Sequence, residues 1–317
     1  MQYRILGNTG MKVSVIGLGA NNFGGRNDEQ SSFRVLDQAL DLGVNFIDTA
    51  DYYNLGKSEQ AIGNWLDGRR DRVVIATKFV MAMDDYPNSR GASRYHIFNA
   101  VEDSLRRLRT DHIDLYQVHW PDPDTPIEQT LRALDDLVKQ GKVRYFGSSN
   151  FSALQLSEAL WTSRYFNLNG LVSEQCYFNL LVRGVEREVV PYCSANGLSV
   201  IPYFPLESGL LTGKYRRNAP IPEGTRMASG EFYQRSMTDE NFDKVEKLSA
   251  FAEERGHTMG ELALAWLLAN PAVCSVIAGA SGPGQVVQNV AAADWTLTPD
   301  DLKAIDEIVP PPEVPSP

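Results

Sequence analysis

Short apolar runs alternate with longer segments of mixed polarity along this chain. The short runs are rich in Val, Ile and Leu, which is typical of parallel strands that are covered on both faces. We predict strands at residues 13–18, 44–47, 73–77, 113–118, 145–147, 171–174, 198–203 and 274–278.

The longer segments carry apolar residues at helical spacing. In residues 93–108, for example, Ile97, Val101 and Leu105 recur at every fourth position, so they share one face of a helix. The same pattern predicts helices at residues 29–42, 58–66, 93–108, 127–139, 154–161, 186–195, 241–254, 260–268, 283–293 and 300–308.

The alternation of eight strands with helices favours a (β/α)8 barrel, because neighbouring parallel strands need crossover connections. A doubly wound open sheet is the alternative, since Gly17 and Gly19 resemble the start of a Gly-rich dinucleotide-binding loop. That pattern has Asn22 at its sixth position, and no helix start follows directly. No internal repeat divides the chain, so we predict one domain over residues 1–317.

Two segments fall outside this alternation. Residues 205–239 are rich in Gly, Pro, Ser and Arg and are too long for a routine connection, which indicates a functional loop. The proline-rich residues 310–317 predict an extended, mobile tail.

The composition excludes several classes of protein. Hydrophobic residues make up 43% of the 317 positions and charged residues 22%, as in globular proteins. A formal net charge of −10 argues against a nucleic-acid-binding protein but is compatible with an anionic ligand in a local basic pocket. Without a signal-peptide pattern or a long apolar run, we expect a cytoplasmic protein with no membrane contact.

Cysteine and histidine spacing predicts neither disulfides nor a metal site. Cys176, Cys193 and Cys274 are widely spaced and odd in number, so we interpret them as buried thiols in a reducing compartment. No pair among the four histidines has the spacing of zinc ligands.

Polar residues follow nearly every apolar run. In a (β/α)8 barrel the active site lies at the carboxyl ends of the strands, where these residues would meet. Structural caps alone would favour Ser, Asp and Asn, but the set also contains a Lys, a His and a Tyr. Its members are Asn21, Asn22, Asp48, Lys78, His119, Ser148, Ser149, Asn150, Gln175, Tyr203 and Ser281.

Asp48 and Lys78 have three interpretations. They can form a structural ion pair, or Lys78 can act as a Schiff-base nucleophile. Tyr53 lies in the loop after Asp48 and suggests a third interpretation, in which the Lys78 ammonium lowers the pKa of the phenol. With His119 as a hydrogen-bond donor to a substrate oxygen, the set would form a tuned proton donor for a developing alkoxide.

Several motifs occur in a fixed order along the chain. They are DTADYYNLGKSE at 48–59, DLYQVHW at 114–120, GSSNF at 147–151, YFPL at 203–206, GLLTGK at 209–214, and GAS at 279–281 with Asn289. Together they resemble the aldo-keto reductase family, and most of all its bacterial branch that is similar to the potassium-channel β subunits. The resemblance covers residues 3 to 308.

The resemblance implies a barrel with an N-terminal β-hairpin and a long loop after the seventh strand that covers a cofactor. It also implies transfer of a hydride between a nicotinamide and an aldehyde, ketone or sugar carbonyl. On this sequence Tyr53 becomes the general acid, Lys78 and Asp48 its tuning pair, and His119 the group that orients the carbonyl oxygen.

The same resemblance assigns a nicotinamide site. Ser149 and Asn150 would hold the carboxamide together with Gln175, and Tyr203 would stack on the nicotinamide ring. Backbone groups of three further residues would line the pyrophosphate, namely Leu206, Gly209 and Leu210.

The nucleotide preference depends on the residues around the adenine-ribose end of the predicted site. Ser281 precedes a predicted helix start, which favours a phosphate. Family members often carry Lys or Arg at the positions of Gly282 or Gln285, and both are neutral here. Lys214 and Arg226 match basic positions that face the adenine-ribose phosphate in the channel-like branch, so we expect NADPH, with NADH as the alternative.

The predicted substrate wall combines amides with aromatic rings. Asn21 and Asn22 make the end of the first strand polar, which is compatible with sugars or hydroxylated ketones. The aromatic candidates are Tyr52, Phe79, Trp120, Phe232 and Tyr233.

Two other functions stay open at this point. One is a regulatory subunit that binds NADP(H) and turns over slowly, although the channel-associated members carry Asn where this chain has His119. The other is a Lys78 Schiff-base lyase, in which Tyr53 and Tyr203 would have no shared purpose. The sequence does not predict the oligomeric state.

Overall fold

A computed structural model describes residues 1–313, and the last four positions of the predicted tail lie outside the described residues. The strands, numbered in chain order, are β1 (Tyr3–Ile5), β2 (Lys12–Ser14), β3 (Ile16–Gly19), β4 (Phe46–Asp48), β5 (Val74–Phe79), β6 (Ile113–Val118), β7 (Val143–Ser149), β8 (Ser173–Tyr177), β9 (Ser199–Tyr203) and β10 (Val276–Gly279). Strands β1 and β2 form an antiparallel hairpin, and the other eight form one parallel sheet.

Helices connect the strands on the outside of this sheet. They are α1 (Glu29–Asp41), α2 (Lys57–Trp65), α3 (Arg94–Leu108), α4 (Ile127–Lys139), α5 (Ala153–Tyr165), α6 (Val189–Asn196), α7 (Glu231–Gln234), α8 (Asp239–Glu253), α9 (Met259–Ala269), α10 (Pro283–Ala291) and α11 (Pro299–Ile308). Side-chain caps set several starts; at α5, for example, Ser152 and Gln155 form a reciprocal capping box.

The sheet curves into a barrel. Strand β10 pairs with β3, and a parallel bridge between Val200 and Val273 joins β9 to the chain just before β10. The predicted (β/α)8 barrel and its N-terminal hairpin are therefore confirmed, and the open-sheet alternative is wrong.

The apolar core has two parts. Most apolar side chains lie between the strands and the helices, and a smaller cluster fills the barrel interior. Phe46, Leu115 and Ile201 belong to the inner cluster. Leu6 and Val13 of the hairpin segment cover this cluster at the amino ends of the strands. The hairpin thus closes the end of the barrel opposite the carboxyl ends of the strands.

Most predicted elements differ from the observed ones by a few residues at their ends, and two of these differences change the description of the fold. The predicted strand 13–18 divides at Val15, because Val13 pairs with Arg4 in the hairpin whereas Ile16 pairs with Val276 in the barrel. The predicted helix 186–195 begins only at Val189, after a single short turn at Gly184–Glu186.

Strand alternation positions the polar residues at the barrel mouth. Phe46, Ala76 and Ile201 lie in the inner cluster, so the residues two positions further along each strand also face inward. These residues are Asp48, Lys78 and Tyr203. The barrel therefore gathers at its carboxyl end the side chains that the sequence pattern had singled out.

Among residues 1–313, no helix combines the length and the apolar character that crossing a membrane would require.

Candidate active site

A cavity of about 990 Å³ opens at the carboxyl ends of the strands, within the size range of small-molecule sites. Most of the predicted site residues line it. They are Asn22, Asp48, Tyr52, Tyr53, His119, Trp120, Ser149, Asn150, Gln175, Tyr203, Leu206, Gly209, Lys214, Arg226, Ser281, Gln285 and Asn289. Residues from nearly every strand end, and from the long loop, therefore meet in one place.

Four of the residues singled out from the sequence do not line this cavity, and one of them, Ser148, is fully buried. Lys78 is fully buried beneath it. Phe79 is wrongly predicted as a pocket residue: its neighbour Lys78 faces inward, so Phe79 faces the helices and stacks on Tyr116 at 4.7 Å. Leu210 is also fully buried and packs in the outer core, so the structure does not place it against the cavity.

Lys78 lies at the centre of a hydrogen-bonded group below the cavity floor. Its Nζ donates to Asp48 Oδ2 and to the Thr49 carbonyl oxygen, both at 2.7 Å, and lies 3.4 Å from the Tyr53 hydroxyl. The other carboxylate oxygen of Asp48 accepts from Gln175 at 2.8 Å. The ammonium and the phenol are thus held in contact by groups that the barrel buries.

Burial and charge act in opposite directions on this group. Burial by itself lowers the pKa of Lys78, but Asp48 and Tyr53 reverse this, so the net pKa is raised and the ammonium stays charged. Burial raises the pKa of Tyr53 above its usual value, and Lys78 offsets only part of that shift. Lys78 thus acts on the pKa of Tyr53 in the expected direction, but burial outweighs it, and the sequence does not reveal how strongly the phenol is desolvated.

His119 faces Tyr53 across the cavity floor, with ring centroids 5.9 Å apart in an edge-on arrangement. Its Nδ1 is buried without a hydrogen-bond partner among the described residues. Burial, and to a lesser degree the charge of Lys78, lower the pKa of His119 to about 3. The imidazole is consequently neutral at physiological pH and can donate or accept one hydrogen bond without carrying charge.

We expect His119 to make the folded state less stable as the pH falls. Its pKa in the unfolded chain is near 6.5, so between pH 6.5 and about 3 only the unfolded state gains this proton. In His119→Asn this contribution is absent. Urea unfolding of both proteins at pH 7.5 and pH 5 should show a smaller loss of stability in the variant, and equal losses would contradict the low pKa.

Ser149, Asn150 and Gln175 form a polar wall next to Tyr203. Asn150 has a left-handed backbone with φ 64°, and its side chain accepts from the Tyr203 hydroxyl at 2.8 Å and donates to the His119 carbonyl oxygen at 3.1 Å. Ser149 Oγ donates to the Gln175 carbonyl oxygen at 2.9 Å. Amide and hydroxyl groups are thus presented together beside an aromatic ring.

Glu174 supports this wall from behind, and it was not among the residues predicted from the sequence. Its carboxyl group accepts from Ser148 Oγ at 2.5 Å and from the backbone N–H of Phe151 at 3.0 Å, on both sides of the Ser149–Asn150 pair. Full burial raises its pKa to about 8. A glutamate that ends an otherwise apolar run was the signal that could have pointed to it.

The long loop crosses the cavity mouth. The Arg226 guanidinium donates to the side-chain oxygens of Asn21 and Asn22 at 2.6 and 2.7 Å, and Arg26 donates to the Gly224 carbonyl oxygen at 2.7 Å. No carboxylate within residues 1–313 lies within 4 Å of Arg226. Its charge is therefore turned toward the cavity wall without an acidic partner.

The start of α10 forms the far wall of the cavity. Its N-cap, Gly282, supplies no side-chain cap, and Pro283 stands at the first helical position. The Gln285 side chain accepts from the Ser281 backbone N–H at 2.7 Å and from its hydroxyl at 3.0 Å. Lys214, the basic residue that the family resemblance assigned to the adenine-ribose end, is exposed at the same cavity.

Comparison with known proteins gives a consistent result. The model of the Aldo/keto reductase family matches residues 15–310. The uncharacterized oxidoreductase YrpG of Bacillus subtilis is 39% identical, covering 98% of this chain and 97% of its own. A probable voltage-gated potassium channel subunit beta of Arabidopsis thaliana is 38% identical over 98% and 97% of the two chains. Versiconal hemiacetal acetate reductase of Aspergillus parasiticus is 31% identical over 97% and 96%. Because these matches span nearly the whole chain, this protein belongs to the aldo/keto reductase family.

Proposed function

We propose that this protein reduces small carbonyl compounds with NADPH and that Tyr53 donates the proton. Membership of the aldo/keto reductase family supports the coarser activity, a nicotinamide-dependent oxidoreductase acting on carbonyls. The finer proposal rests on one observation: a phenol at the cavity floor lies 3.4 Å from a buried ammonium that Asp48 and Thr49 hold in place.

The residues of the cavity fit a nicotinamide nucleotide. One end presents the amide and hydroxyl groups of Ser149, Asn150 and Gln175 beside the Tyr203 ring. The other end presents Lys214 and an uncapped helix start, which suit phosphate. When bound, the nucleotide supplies the hydride, and the protein supplies position, charge and exclusion of water.

Tyr53 can act as the acid with the help of Lys78. The phenol is protonated at neutral pH, so a proton is available when negative charge develops on a carbonyl oxygen. Burial raises its pKa and makes it a weaker acid, and Lys78 acts against that shift. The charged Lys78 beside it would stabilise the phenolate that remains, and Asp48 would keep that ammonium in place. Neutral His119 could then orient the carbonyl oxygen without competing for the proton.

The same contacts argue against a Schiff-base lyase. A nucleophilic lysine must lose its proton, whereas Asp48 and Tyr53 raise the pKa of Lys78. Its Nζ is also occupied by acceptors and is fully buried.

The decisive experiment mixes the purified protein with aldehydes, ketones and sugars in the presence of NADPH or NADH and follows the absorbance at 340 nm. We expect consumption of NADPH with at least one carbonyl class, and faster turnover of hydroxylated than of purely apolar compounds, because Asn21 and Asn22 line the wall. Tight binding of NADPH without turnover of any carbonyl would instead favour the regulatory alternative.

Lys214 is expected to favour NADPH over NADH. Its ammonium shares the cavity with the start of α10, so a 2′-phosphate placed there would gain a charge-assisted hydrogen bond. Lys214→Ala should weaken NADPH about tenfold and leave NADH almost unchanged. Fluorescence titration measures both, with Lys303→Ala on α11 as a matched control for the loss of an exposed lysine. Equal affinity of the wild type for both nucleotides would refute the preference.

A further inference from the structure

Glu207 is a buried carboxylate that the proposed reaction does not use. It lies at the start of the segment 204–238, which we call the cover loop, and its side chain is almost fully inaccessible. Its backbone is left-handed at φ 43°, and Ser208 follows at φ 56°. Such conformations persist in non-glycine residues only where the surroundings hold them, so this position is strongly constrained.

On the barrel side, Glu207 contacts two residues at and just after the end of β8. The Tyr177 hydroxyl lies 2.6 and 2.5 Å from the two carboxylate oxygens, and Asn179 Nδ2 donates to Oε2 at 2.7 Å. The same Asn179 amide donates to the Phe204 carbonyl oxygen at 2.9 Å. The carboxylate is thus joined firmly to the end of β8.

On the loop side, Glu207 Oε1 accepts a hydrogen bond from the buried Ser236 hydroxyl. Ser236 stands two residues before Thr238, the N-cap of α8, where the cover loop ends. A single carboxylate therefore ties the last part of the loop to its first part. The middle of the loop carries Arg226, which bonds to Asn21 and Asn22 across the cavity mouth.

Tyr177 extends the network toward the site. Its ring is parallel to that of Tyr203, with an interplanar angle of 8° and centroids 5.5 Å apart. The Tyr203 hydroxyl in turn donates to Asn150 Oδ1 at 2.8 Å. The ring that would face the nicotinamide is consequently held by a stacked neighbour whose own hydroxyl is fixed by Glu207.

We propose that Glu207 is a positioning residue with two separable effects on the reaction. Through Ser236 it holds the cover loop closed and slows release of the nucleotide. Through Tyr177 it fixes the Tyr203 ring and so aligns the nicotinamide for hydride transfer. The inference rests on the proposed function, because it takes Tyr203 as the surface on which the nicotinamide lies.

The contact of Glu207 with Ser236 and its contact with Tyr177 can be removed separately by substitution. Ser236→Ala removes the loop contact and leaves Tyr177 bonded to Glu207. Tyr177→Phe removes the hydroxyl that contacts Glu207 and leaves both the ring stack and the Asn179 hydrogen bond. Glu207→Gln weakens both. Ser236→Thr is the matched control, because it retains a hydroxyl at the same position.

The readouts are two rates measured by stopped flow on the full chain. One is dissociation of NADPH, followed by nucleotide fluorescence. The other is a single turnover of 4-nitrobenzaldehyde with NADPH or its 4-deuterated form, in which the isotope effect identifies the hydride step. Thermal unfolding of each variant checks that it is folded.

We expect Ser236→Ala to release NADPH about tenfold faster with an unchanged hydride step. Tyr177→Phe should slow the hydride step about tenfold with an unchanged release rate, and Glu207→Gln should change both rates. Ser236→Thr should release NADPH at the wild-type rate.

Wild-type rates in both Ser236→Ala and Tyr177→Phe would overturn the inference. Equal changes of the release rate and the hydride-transfer rate in each variant would also overturn it, because a general structural contact would affect both rates alike. These outcomes differ from failure of the proposed function. In that case the wild-type protein itself would neither bind NADPH nor reduce the aldehyde, and both proposals would fall.

Discussion

Tyr53→Phe is expected to lower the turnover number for carbonyl reduction by about 10³-fold, within the range that a general acid contributes. Phenylalanine keeps the ring that contacts His119 and removes only the hydroxyl beside Lys78. Without that proton, the negative charge that develops on the carbonyl oxygen must be stabilised by Lys78 and His119 alone. The experiment measures turnover at 340 nm and, separately, the dissociation constant of NADPH by fluorescence.

The NADPH affinity of Tyr53→Phe should stay within a factor of about two to three, because none of the residues assigned to the nucleotide changes. Tyr95→Phe on α3 is the matched control, since this tyrosine is exposed and does not line the cavity. Turnover of Tyr53→Phe near the wild-type value would exclude Tyr53 as the acid. Loss of NADPH binding would instead show that its hydroxyl mainly organises the cavity.

Lys78→Met is expected to reduce both turnover and stability. The substitution leaves the Asp48 carboxylate buried and without its cation, which typically costs about 3–5 kcal/mol. Turnover should fall by a factor similar to that of Tyr53→Phe, because the phenolate loses the charge that stabilises it. Urea unfolding and steady-state kinetics measure the two effects on the same protein.

The double variant Lys78→Met with Asp48→Asn separates the two effects. Asparagine removes the uncompensated charge and keeps an oxygen for Gln175, so much of the stability should return while turnover stays low. Arg106→Met is the control for an exposed ion pair with Asp103, for which a change of under about 1 kcal/mol is expected. If Lys78→Met retained full turnover, the buried pair would have only a structural role.

The strand-and-helix pattern predicted the fold well for a local reason. A strand covered on both faces needs a continuous apolar run, and an amphipathic helix needs a 3.6-residue period, and both signals can be read within a few residues. The segment 13–18 shows the limit of such local signals. Its apolarity is continuous, yet Val13 closes the barrel floor and Ile16 belongs to the wall, because their pairing partners come from distant parts of the chain.

The site residues divide in the same way. Asp48, Tyr53 and His119 could be found from strand ends and motifs, because a (β/α)8 barrel brings those ends together. Phe79 was misplaced because one step along a strand reverses the side on which a residue lies. Glu174 was missed because its role depends on the backbone of the neighbouring strand-end loop.

The sequence by itself thus determined the alternation of elements, the barrel and the types of residue at its mouth, since these follow from local periodicity. Only the tertiary structure decided the burial of Tyr53, which raises its pKa where the sequence suggested a decrease. It also decided that Glu207, an ordinary loop residue in the sequence, lies buried between Tyr177 and Ser236. Desolvation and long-range hydrogen bonds depend on which distant segments come together in the fold, and local periodicity does not show which segments those are.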